Sequence, residues 1–256
     1  MKIVSWNINS VRARLSRLLA WLEHHQPDVL CLQETKVTDG EFPRLEIEAM
    51  GYSLETDGQK GYNGVAILSR SAPYDVSRGF PGGDENQKRV IAATVSGIRI
   101  VNLYVPNGKS VGSEHFAFKL EWLTRFLSFL DAEHVPSEPL LVCGDLNIAP
   151  EDRDTYDPDV WRGRILCSEP ERERFRGLLA WGLSDALRLR TEEGGIFTWW
   201  DYRMGGFRRN KGLRIDHFLV TRPVAERVRE VVVDREERGG DKPSDHAPLV
   251  ITLEKE

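Results

Sequence analysis

The apolar residues of this chain predict two amphipathic helices set among short runs of buried strand. The first helix has its apolar residues on one face and is bounded by Pro27; the face consists of Val11, Leu15, Leu18, Leu19 and Leu22. The second helix begins near Ser113, with Glu114 behind it. Its apolar side consists of Phe116, Leu120, Leu123, Leu127 and Leu130.

Short β-rich runs occur from one end of the chain to the other. We predict strands at 3–4, 28–33, 64–69, 89–95, 98–105, 140–143, 213–220, 227–234 and 248–253, with a hairpin turn at Ser96-Gly97. The ERER run at 171–174 lies in a polar helical stretch and is expected at the surface. Because no linker or low-complexity stretch divides the chain, we expect one α/β domain over residues 1–256, with β-sheet layers and helices packed outside. The pattern leaves parallel and mixed strand order open.

Composition excludes several classes of protein. With 40% hydrophobic and 29% charged residues the chain is typical of globular proteins, and its three cysteines give neither a disulfide framework nor a cysteine metal site. The N-terminus lacks the apolar stretch of a signal peptide, and no run approaches a membrane span, so we expect a cytoplasmic protein without membrane contact.

The charge balance leaves room for a local nucleic-acid surface. The formal net charge of −5 argues against a protein that coats DNA through general basic charge. The segment 203–214 is nevertheless free of acidic residues and carries Arg203, Arg208, Arg209, Lys211 and Arg214. A solvated loop is the ordinary interpretation of such a run.

Acidic and amide residues fall where the predicted strands end. Asn7 and Asn9 follow the first strand, Glu34 ends the second, Asp145 and Asn147 follow the strand at 140–143, and Asp245-His246 precede the last strand. Each one taken alone is an ordinary turn residue. Together, these oxygen ligands suit Mg²⁺ or Mn²⁺ better than zinc, and a phosphodiester hydrolase needs such a cation with a base and phosphate donors.

The ordered set of segments resembles the exonuclease III family of abasic-site endonucleases, bacterial type, within the endonuclease/exonuclease/phosphatase superfamily. The resemblance spans residues 1 to about 253 and is carried by SWNINSVRARL, PDVLCLQETKV, GYNGVAILS, NLYVPNG, CGDLNIAP, FTWWDYR, GLRIDHFLV and KPSDHAPL. It implies a four-layer α/β sandwich, in which two packed mixed β-sheets are flanked by helices.

The resemblance also implies roles for individual residues. The expected metal site comprises Asn7, Asn9, Glu34, Asp145, Asn147 and Asp245. The expected catalytic residues are Tyr104, Asp145, Asn147, Asp216 and His246, with Asp145 activating water and Asp216 orienting the imidazole of His246. The expected DNA contacts are Asn107, Trp199, Arg203, Leu213, Ile215, Arg208, Arg209 and Lys211. Within this set Trp199, Leu213 and Ile215 match a pocket for an abasic sugar, and Arg203 matches a position that inserts into the duplex.

The function implied is Mg²⁺-dependent hydrolysis of the phosphodiester 5′ to an abasic site in double-stranded DNA, by a monomer. Activity at blocked 3′ ends, as a 3′-phosphodiesterase and a 3′→5′ exonuclease, is expected beside it. Two alternatives stay open. A phosphatase acting on inositol lipids or sphingomyelin would share the metal site but should carry a membrane-facing insertion. A non-catalytic DNA-binding protein should have lost one of Glu34, Asp145, Asp216, Asp245 or His246, and all are present.

Overall fold

The computed structural model describes residues 1–84 and 86–254. Its strands are β1 Lys2–Asn7, β2 Val29–Gln33, β3 Ser53–Asp57, β4 Val65–Ser69, β5 Tyr74–Arg78, β6 Val90–Val95, β7 Ile98–Tyr104, β8 Leu140–Asp145, β9 Ser184–Asp185, β10 Trp199–Trp200, β11 Gly212–Leu213, β12 Asp216–Val220, β13 Val228–Val233 and β14 Leu249–Leu253. Its α-helices are α1 Leu15–His25, α2 Arg44–Glu48, α3 Glu114–Glu133, α4 Pro158–Trp161, α5 Glu169–Trp181 and α6 Arg222–Ala225. Short 3-10 turns occur at Asp39–Glu41, Asp152–Asp154, Arg203–Gly205 and Arg235–Arg238.

The long strands form two mixed sheets of six strands each. The first sheet has the order β13-β14-β1-β2-β4-β3, and the second has the order β5-β6-β7-β8-β12-β9. In each sheet one central pair is parallel, β1 with β2 and β7 with β8, and the other pairs are antiparallel. The strands β10 and β11 form a separate ribbon.

Alternating side chains along the strands build three apolar layers. On β8, Leu141 and Cys143 point between the two sheets, while Leu140 and Val142 point outward. The outward face of the second sheet is covered by α3 and α5, and that of the first sheet by α1 and α2. The result is helices, sheet, sheet and helices in four layers, which confirms the architecture that the resemblance implied.

Most of the predicted strands and both long helices are present, with differences at the edges of the sheets. The hairpin at Ser96-Gly97 is confirmed, and both residues have positive φ, 49° and 78°. The run at 213–220 splits into β11 and β12. The strands β3 and β5 were not predicted, because sheet-edge strands carry charged residues and lack clear alternation.

Two expectations about which side chains are buried were wrong in part. Besides Lys119, the buried residues of α3 are Phe116, Trp122, Leu123, Phe126 and Leu130, while Leu120 and Leu127 are only half-buried. In the ERER run, Glu171 is fully buried because it pairs with the buried Lys119 of α3. Glu171 also closes a capping box with Ser168 at the start of α5. No helix in residues 1–84 and 86–254 combines the length and apolar character needed to cross a bilayer.

Gly144 explains why the segment CGDLN needs a glycine. Its φ is +138°, and a Cβ atom there would lie 1.8 Å from the carbonyl oxygen of Leu103 on the neighbouring strand. Glycine therefore lets β8 stay close to β7 as it delivers Asp145 to the end of the sheet.

Candidate active site

Sheet register brings the predicted polar residues to one place between the two sheets. In the second sheet Asp145 lies between Tyr104 of the parallel strand β7 and Asp216 of the antiparallel strand β12. In the first sheet Asn7 pairs with Gln33, and Glu34 follows it directly. The Asn7 amide nitrogen donates to Asp145 Oδ2 at 2.9 Å, so the strand ends of the two sheets meet.

His246 is held between two buried carboxylates. Its Nδ1 lies 2.8 Å from Asp216 Oδ2, and its Nε2 lies 3.6 Å from Asp145 Oδ2. Burial alone lowers the pKa of His246, but the negative charges of Asp216 and Asp145 outweigh burial and raise it to about 10. The imidazole is therefore charged at neutral pH, and it can donate a hydrogen bond to an anionic substrate.

Asp145 has the properties of a base that works near neutral pH. Its Oδ1 accepts from the backbone N–H of Asn147 at 2.9 Å, which fixes the carboxylate plane. Burial raises its pKa to about 7, with His246 opposing the shift and Asp216 and Glu34 adding to it. A base is most effective when its pKa is close to the working pH.

The predicted metal residues form a connected network on the first-sheet side. The Asn7 amide donates to Glu34 Oε1 at 3.0 Å, and the Asn9 amide donates to Asp245 Oδ1 at 2.9 Å. Burial raises the pKa of Glu34, but Lys36 and the hydrogen bond from Asn7 lower it below its ordinary value. Burial likewise raises the pKa of Asp245, but the charge of His246 and the hydrogen bonds from Trp199 and Asn9 outweigh burial and lower the pKa below its ordinary value. Both carboxylates are therefore ionised at neutral pH.

This oxygen set fits a divalent cation. Carboxylate and amide oxygens are the ligands of Mg²⁺, and Asp216 Oδ1 is a buried oxygen with no hydrogen-bond partner. Among the described residues, Asp145, Asp216 and His246 also place possible ligand atoms within 4.8 Å of one another. Because Mg²⁺ prefers oxygen ligands, the carboxylates of Glu34 and Asp245 with the amides of Asn7 and Asn9 fit it better than a set that includes an imidazole.

Three of the predicted residues have left-handed backbone geometry. The φ angles of Asn9, Glu34 and Asn147 are 47°, 51° and 53°. Asparagine adopts this region readily, whereas for Glu34 it costs roughly 1–2 kcal/mol. Such strain is held by the surrounding structure and is typical of functional sites.

Tyr104, Asn107 and Asn147 line the second-sheet side. Burial and the nearby carboxylates of Glu34 and Asp145 raise the pKa of Tyr104 well above its ordinary value, so its hydroxyl stays a donor. The Asn107 amide donates to Asn147 Oδ1 at 3.1 Å, and the Asn147 amide donates to the Val105 carbonyl at 3.0 Å. One N–H of the Asn147 amide remains for a ligand.

The residues expected to line a sugar pocket lie together, but they are packed tightly. Leu213 and Ile215 are 0% and 2% exposed, and they share an apolar cluster with Leu166, which is 5% exposed. Trp199 packs against this cluster and donates its indole N–H to Asp245 at 3.0 Å. The cluster therefore borders the carboxylate site.

The basic segment divides into exposed and buried parts. Arg203, Arg208, Arg209 and Lys211 are exposed, as a DNA-facing surface requires. Arg214, the last basic residue of the segment, is not part of a solvated loop. It is 1% exposed, and it is paired with Asp154 and Asp185 in the interior.

Three residues near the site were not singled out from the sequence. Lys36 contacts Glu34 Oε2 at 2.7 Å and Asn9 Oδ1 at 2.6 Å, and its place in LQETK was the only available signal. The Arg89 guanidinium lies 4.7 Å from the centre of the Tyr104 ring. Ser244 donates to the Asn7 carbonyl and accepts from the His246 backbone N–H, which joins the SDH segment to β1.

Comparison with known proteins agrees with this geometry. A model of the Endonuclease/Exonuclease/phosphatase family matches residues 4–246. The chain belongs to this family. It is 42% identical to the exodeoxyribonuclease III of Haemophilus influenzae over 262 aligned positions, covering 97% of this chain and 98% of the relative.

Solved structures match the chain over its full length. A Neisseria 3′ phosphatase, NExo, bound to a product DNA hairpin has a TM-score of 0.96 and 44% identity, with 100% of both chains covered. An AP endonuclease from Archaeoglobus fulgidus has a TM-score of 0.96 and 38% identity, also with 100% of both chains covered. The resemblance read from the sequence motifs is therefore confirmed.

Proposed function

We propose that this chain is a DNA repair enzyme that hydrolyses phosphate esters of DNA with the help of a divalent cation, Mg²⁺ or Mn²⁺. The observation that carries the proposal is the buried imidazole of His246, held by Asp216 and facing Asp145, next to the carboxylates of Glu34 and Asp245. The set combines a base, a cationic donor and hard oxygen ligands in one place, which phosphate ester hydrolysis requires.

Asp145 takes a proton from the attacking water in this proposal. The water oxygen forms a bond to phosphorus, and the ester bond on the opposite side breaks. Charge builds up on the non-bridging oxygens, where the N–H of His246, the hydroxyl of Tyr104 and the amide of Asn147 donate hydrogen bonds. Asp216 keeps the imidazole oriented and charged.

Glu34, Asn7 and Asp245, with Asn9 beside them, would hold the cation. When bound, the cation would neutralise negative charge on the phosphate and on the leaving oxygen. The lowered pKa values of Glu34 and Asp245 support this assignment, because ligands must be ionised before a cation binds.

We propose the 3′ ends of duplex DNA as the principal substrate, including 3′-phosphates and other blocked ends. Leu166, Leu213 and Ile215 form one closely packed apolar cluster where the sugar pocket is expected, whereas a terminal phosphate needs only the polar site and the adjoining surface. The Neisseria relative named a 3′ phosphatase supports this preference.

Incision 5′ to an abasic site is the second candidate activity. Trp199 borders both the apolar cluster and Asp245, so a sugar admitted to the cluster would lie beside the polar site. An abasic nucleotide has no base to unstack, which lowers the cost of extruding it. The Archaeoglobus relative named an AP endonuclease supports this candidate.

Arg203, Arg208, Arg209 and Lys211 form the proposed contact surface for the duplex, with Asn107 near the phosphate. We further propose that residues 1–256 act as one domain and as a monomer, because the polar site draws side chains from both sheets of one chain. The buried, unpaired thiols of Cys31, Cys143 and Cys167 suit the reducing cytoplasm.

A substrate panel tests the proposal. Purified protein is incubated, with and without Mg²⁺, with a duplex ending in a 3′-phosphate, a duplex carrying one abasic analogue, an undamaged blunt duplex and an inositol phosphate. We expect metal-dependent turnover of the DNA substrates, fastest at the 3′-phosphate. Turnover of the inositol phosphate alone would favour the phosphatase alternative, and DNA binding without turnover would favour the non-catalytic one.

A further inference from the structure

Lys119, in the middle of α3, has a fully buried ammonium group that lies behind the polar site. Its Nζ donates to the Asn147 carbonyl at 2.6 Å, to the Asn107 carbonyl at 3.2 Å, and to the carboxylate of Glu171. An ammonium group has three N–H donors, so each donor has one partner. Two of the three partners are backbone atoms of residues that line the polar site.

The contact with Asn147 reaches Asp145 in one further step. Asn147 has a left-handed φ of 53°, and its backbone N–H donates to Asp145 Oδ1. Its side chain bonds to Asn107 and to the Val105 carbonyl. Lys119 therefore joins the loop after β7 to the loop after β8 from behind, and holds the Asn147–Ile148 peptide, which directly follows the peptide whose N–H orients Asp145.

Glu171 balances the charge and anchors a third loop. Its Oε1 accepts from the backbone N–H of Leu166 at 3.0 Å, and its Oε2 accepts from the N–H and the hydroxyl of Ser168 at 3.0 and 2.6 Å. Leu166 belongs to the apolar cluster beside the polar site. One buried pair thus connects the two polar loops with the loop that carries Leu166.

Stability by itself does not require charged residues at this location. Desolvation of two buried ions offsets much of their attraction, and apolar residues of similar volume often replace such pairs without loss of stability. What apolar residues cannot replace is the pair of hydrogen bonds to the carbonyls of Asn107 and Asn147. The lysine is therefore explained better by the loops it fixes than by packing.

We propose that Lys119 is a positioning residue for hydrolysis, which holds Asn147 and through it Asp145 in their reactive arrangement, with Glu171 as its buried counter-charge. This inference rests on the proposed function. It predicts that the lysine contributes to turnover rather than to DNA affinity.

The test compares Lys119→Met with the double variant Lys119→Met/Glu171→Leu, whose apolar pair restores charge balance in the interior. The control is Arg99→Met. Arg99 is also a largely buried cation that donates to a backbone carbonyl and pairs with a carboxylate, Asp75, but it lies at the opposite end of β7 from Tyr104. The midpoint of thermal unfolding is measured for each protein. Then kcat and KM are measured on a 3′-phosphate duplex, at a temperature that lies the same interval below that protein's own midpoint.

We expect kcat to fall about 10- to 100-fold in both Lys119 variants, since small misplacements of reacting groups have effects of this size. KM should stay within about threefold of the wild-type value, and Arg99→Met should keep its kcat. A double variant that recovers both stability and kcat would overturn the proposal, because it would show a purely structural role.

If the double variant fails to fold, the test rests on the comparison of Lys119→Met with Arg99→Met. Equal kcat values for these two variants would also overturn the proposal. Failure of the wild-type protein to hydrolyse any DNA substrate would instead count against the proposed function.

Discussion

The imidazole Nδ1 of His246 lies 2.8 Å from the carboxylate Oδ2 of Asp216, and both side chains are buried. The two residues come from different segments, 30 positions apart, and meet beside Asp145. Asp216 thereby holds the ring in one orientation and is the first of the carboxylates that raise the pKa of His246 to about 10.

Asp216→Asn should lower kcat and change its pH dependence. Without the carboxylate charge the pKa of His246 falls, so the charged imidazole is lost as the pH rises. We expect kcat to fall by about 10²–10⁴ and to decline with rising pH at a lower pH than in the wild type. The wild type should keep its activity up to a pH near 10, the pKa of His246. Parallel pH profiles of kcat for the two proteins would contradict the role given to Asp216.

Asp145→Asn should abolish turnover without weakening the fold. Burial raises the pKa of Asp145 from 3.8 to about 7, so stability is lost as the pH rises from 3.8 to about 7, and the charged form destabilises the folded state by its full amount above that pH. In metal-free buffer at high pH, the variant should unfold at or above the wild-type temperature. We expect kcat to fall by orders of magnitude and DNA affinity, measured by fluorescence anisotropy, to be retained. Near-wild-type turnover would show that Asp145 is not the base.

Divalent cations should stabilise the wild type through Glu34 and Asp245. A ligand at 100 times its Kd stabilises a folded protein by about 2.7 kcal/mol. Thermal unfolding with Mg²⁺ or with a chelator should show this difference in the wild type. It should be much smaller in Glu34→Gln and Asp245→Asn, and an exposed variant such as Glu121→Gln serves as the control. An undiminished Mg²⁺ shift in both site variants would place the cation elsewhere.

Leu166→Gly should shift the substrate preference towards abasic sites. Leu166 has a φ of 72°, a conformation that glycine adopts without strain, and its side chain fills the apolar cluster with Leu213 and Ile215. Removing it opens space for a sugar beside Trp199. We expect the ratio of abasic-site incision to 3′-phosphate removal to rise.

The control for this change is Leu178→Ala, which removes a buried leucine from the cluster between the second sheet and its helices. It should lower stability without changing the ratio of the two activities. An unchanged ratio in Leu166→Gly would mean that Leu166 does not exclude the sugar.

His217 should make the fold sensitive to mild acid. Burial, aided by the neighbouring Arg214, lowers its pKa from 6.5 to about 4, so it stays neutral in the folded state while the unfolded chain takes up a proton. Stability is therefore lost as the pH falls from 6.5 towards 4, by about 2 kcal/mol at pH 5.

Denaturant unfolding at pH 7.5 and pH 5 should show a smaller acid-induced loss in His217→Gln than in the wild type. Gln keeps a donor for the Ile148 carbonyl but does not titrate. Equal losses in the two proteins would assign the acid sensitivity to other groups.

The central strands and the set of polar candidates could be predicted because their signals are local. Continuous apolar runs mark β2, β4 and β8, and a functional residue or a turn lies at the end of each run or directly after it. The polar edge strands β3 and β5 carry no such signal. Each adopts a strand conformation because it pairs with a single neighbouring strand of the sheet. The burial of Glu171 and Arg214 was likewise invisible, because a charged residue becomes buried only where a distant partner meets it.

The sequence by itself determined which chemical groups are present and in what order: the oxygen ligands, the base, the imidazole and the basic segment. It also determined where they fall on the strands, because side-chain periodicity and turn chemistry are properties of neighbouring residues. Only the tertiary structure decided that Leu166 packs with Leu213 and Ile215 and that Lys119 reaches the carbonyls of Asn107 and Asn147. These are contacts between residues far apart in the chain, and they exist only once the two sheets and their helices have packed.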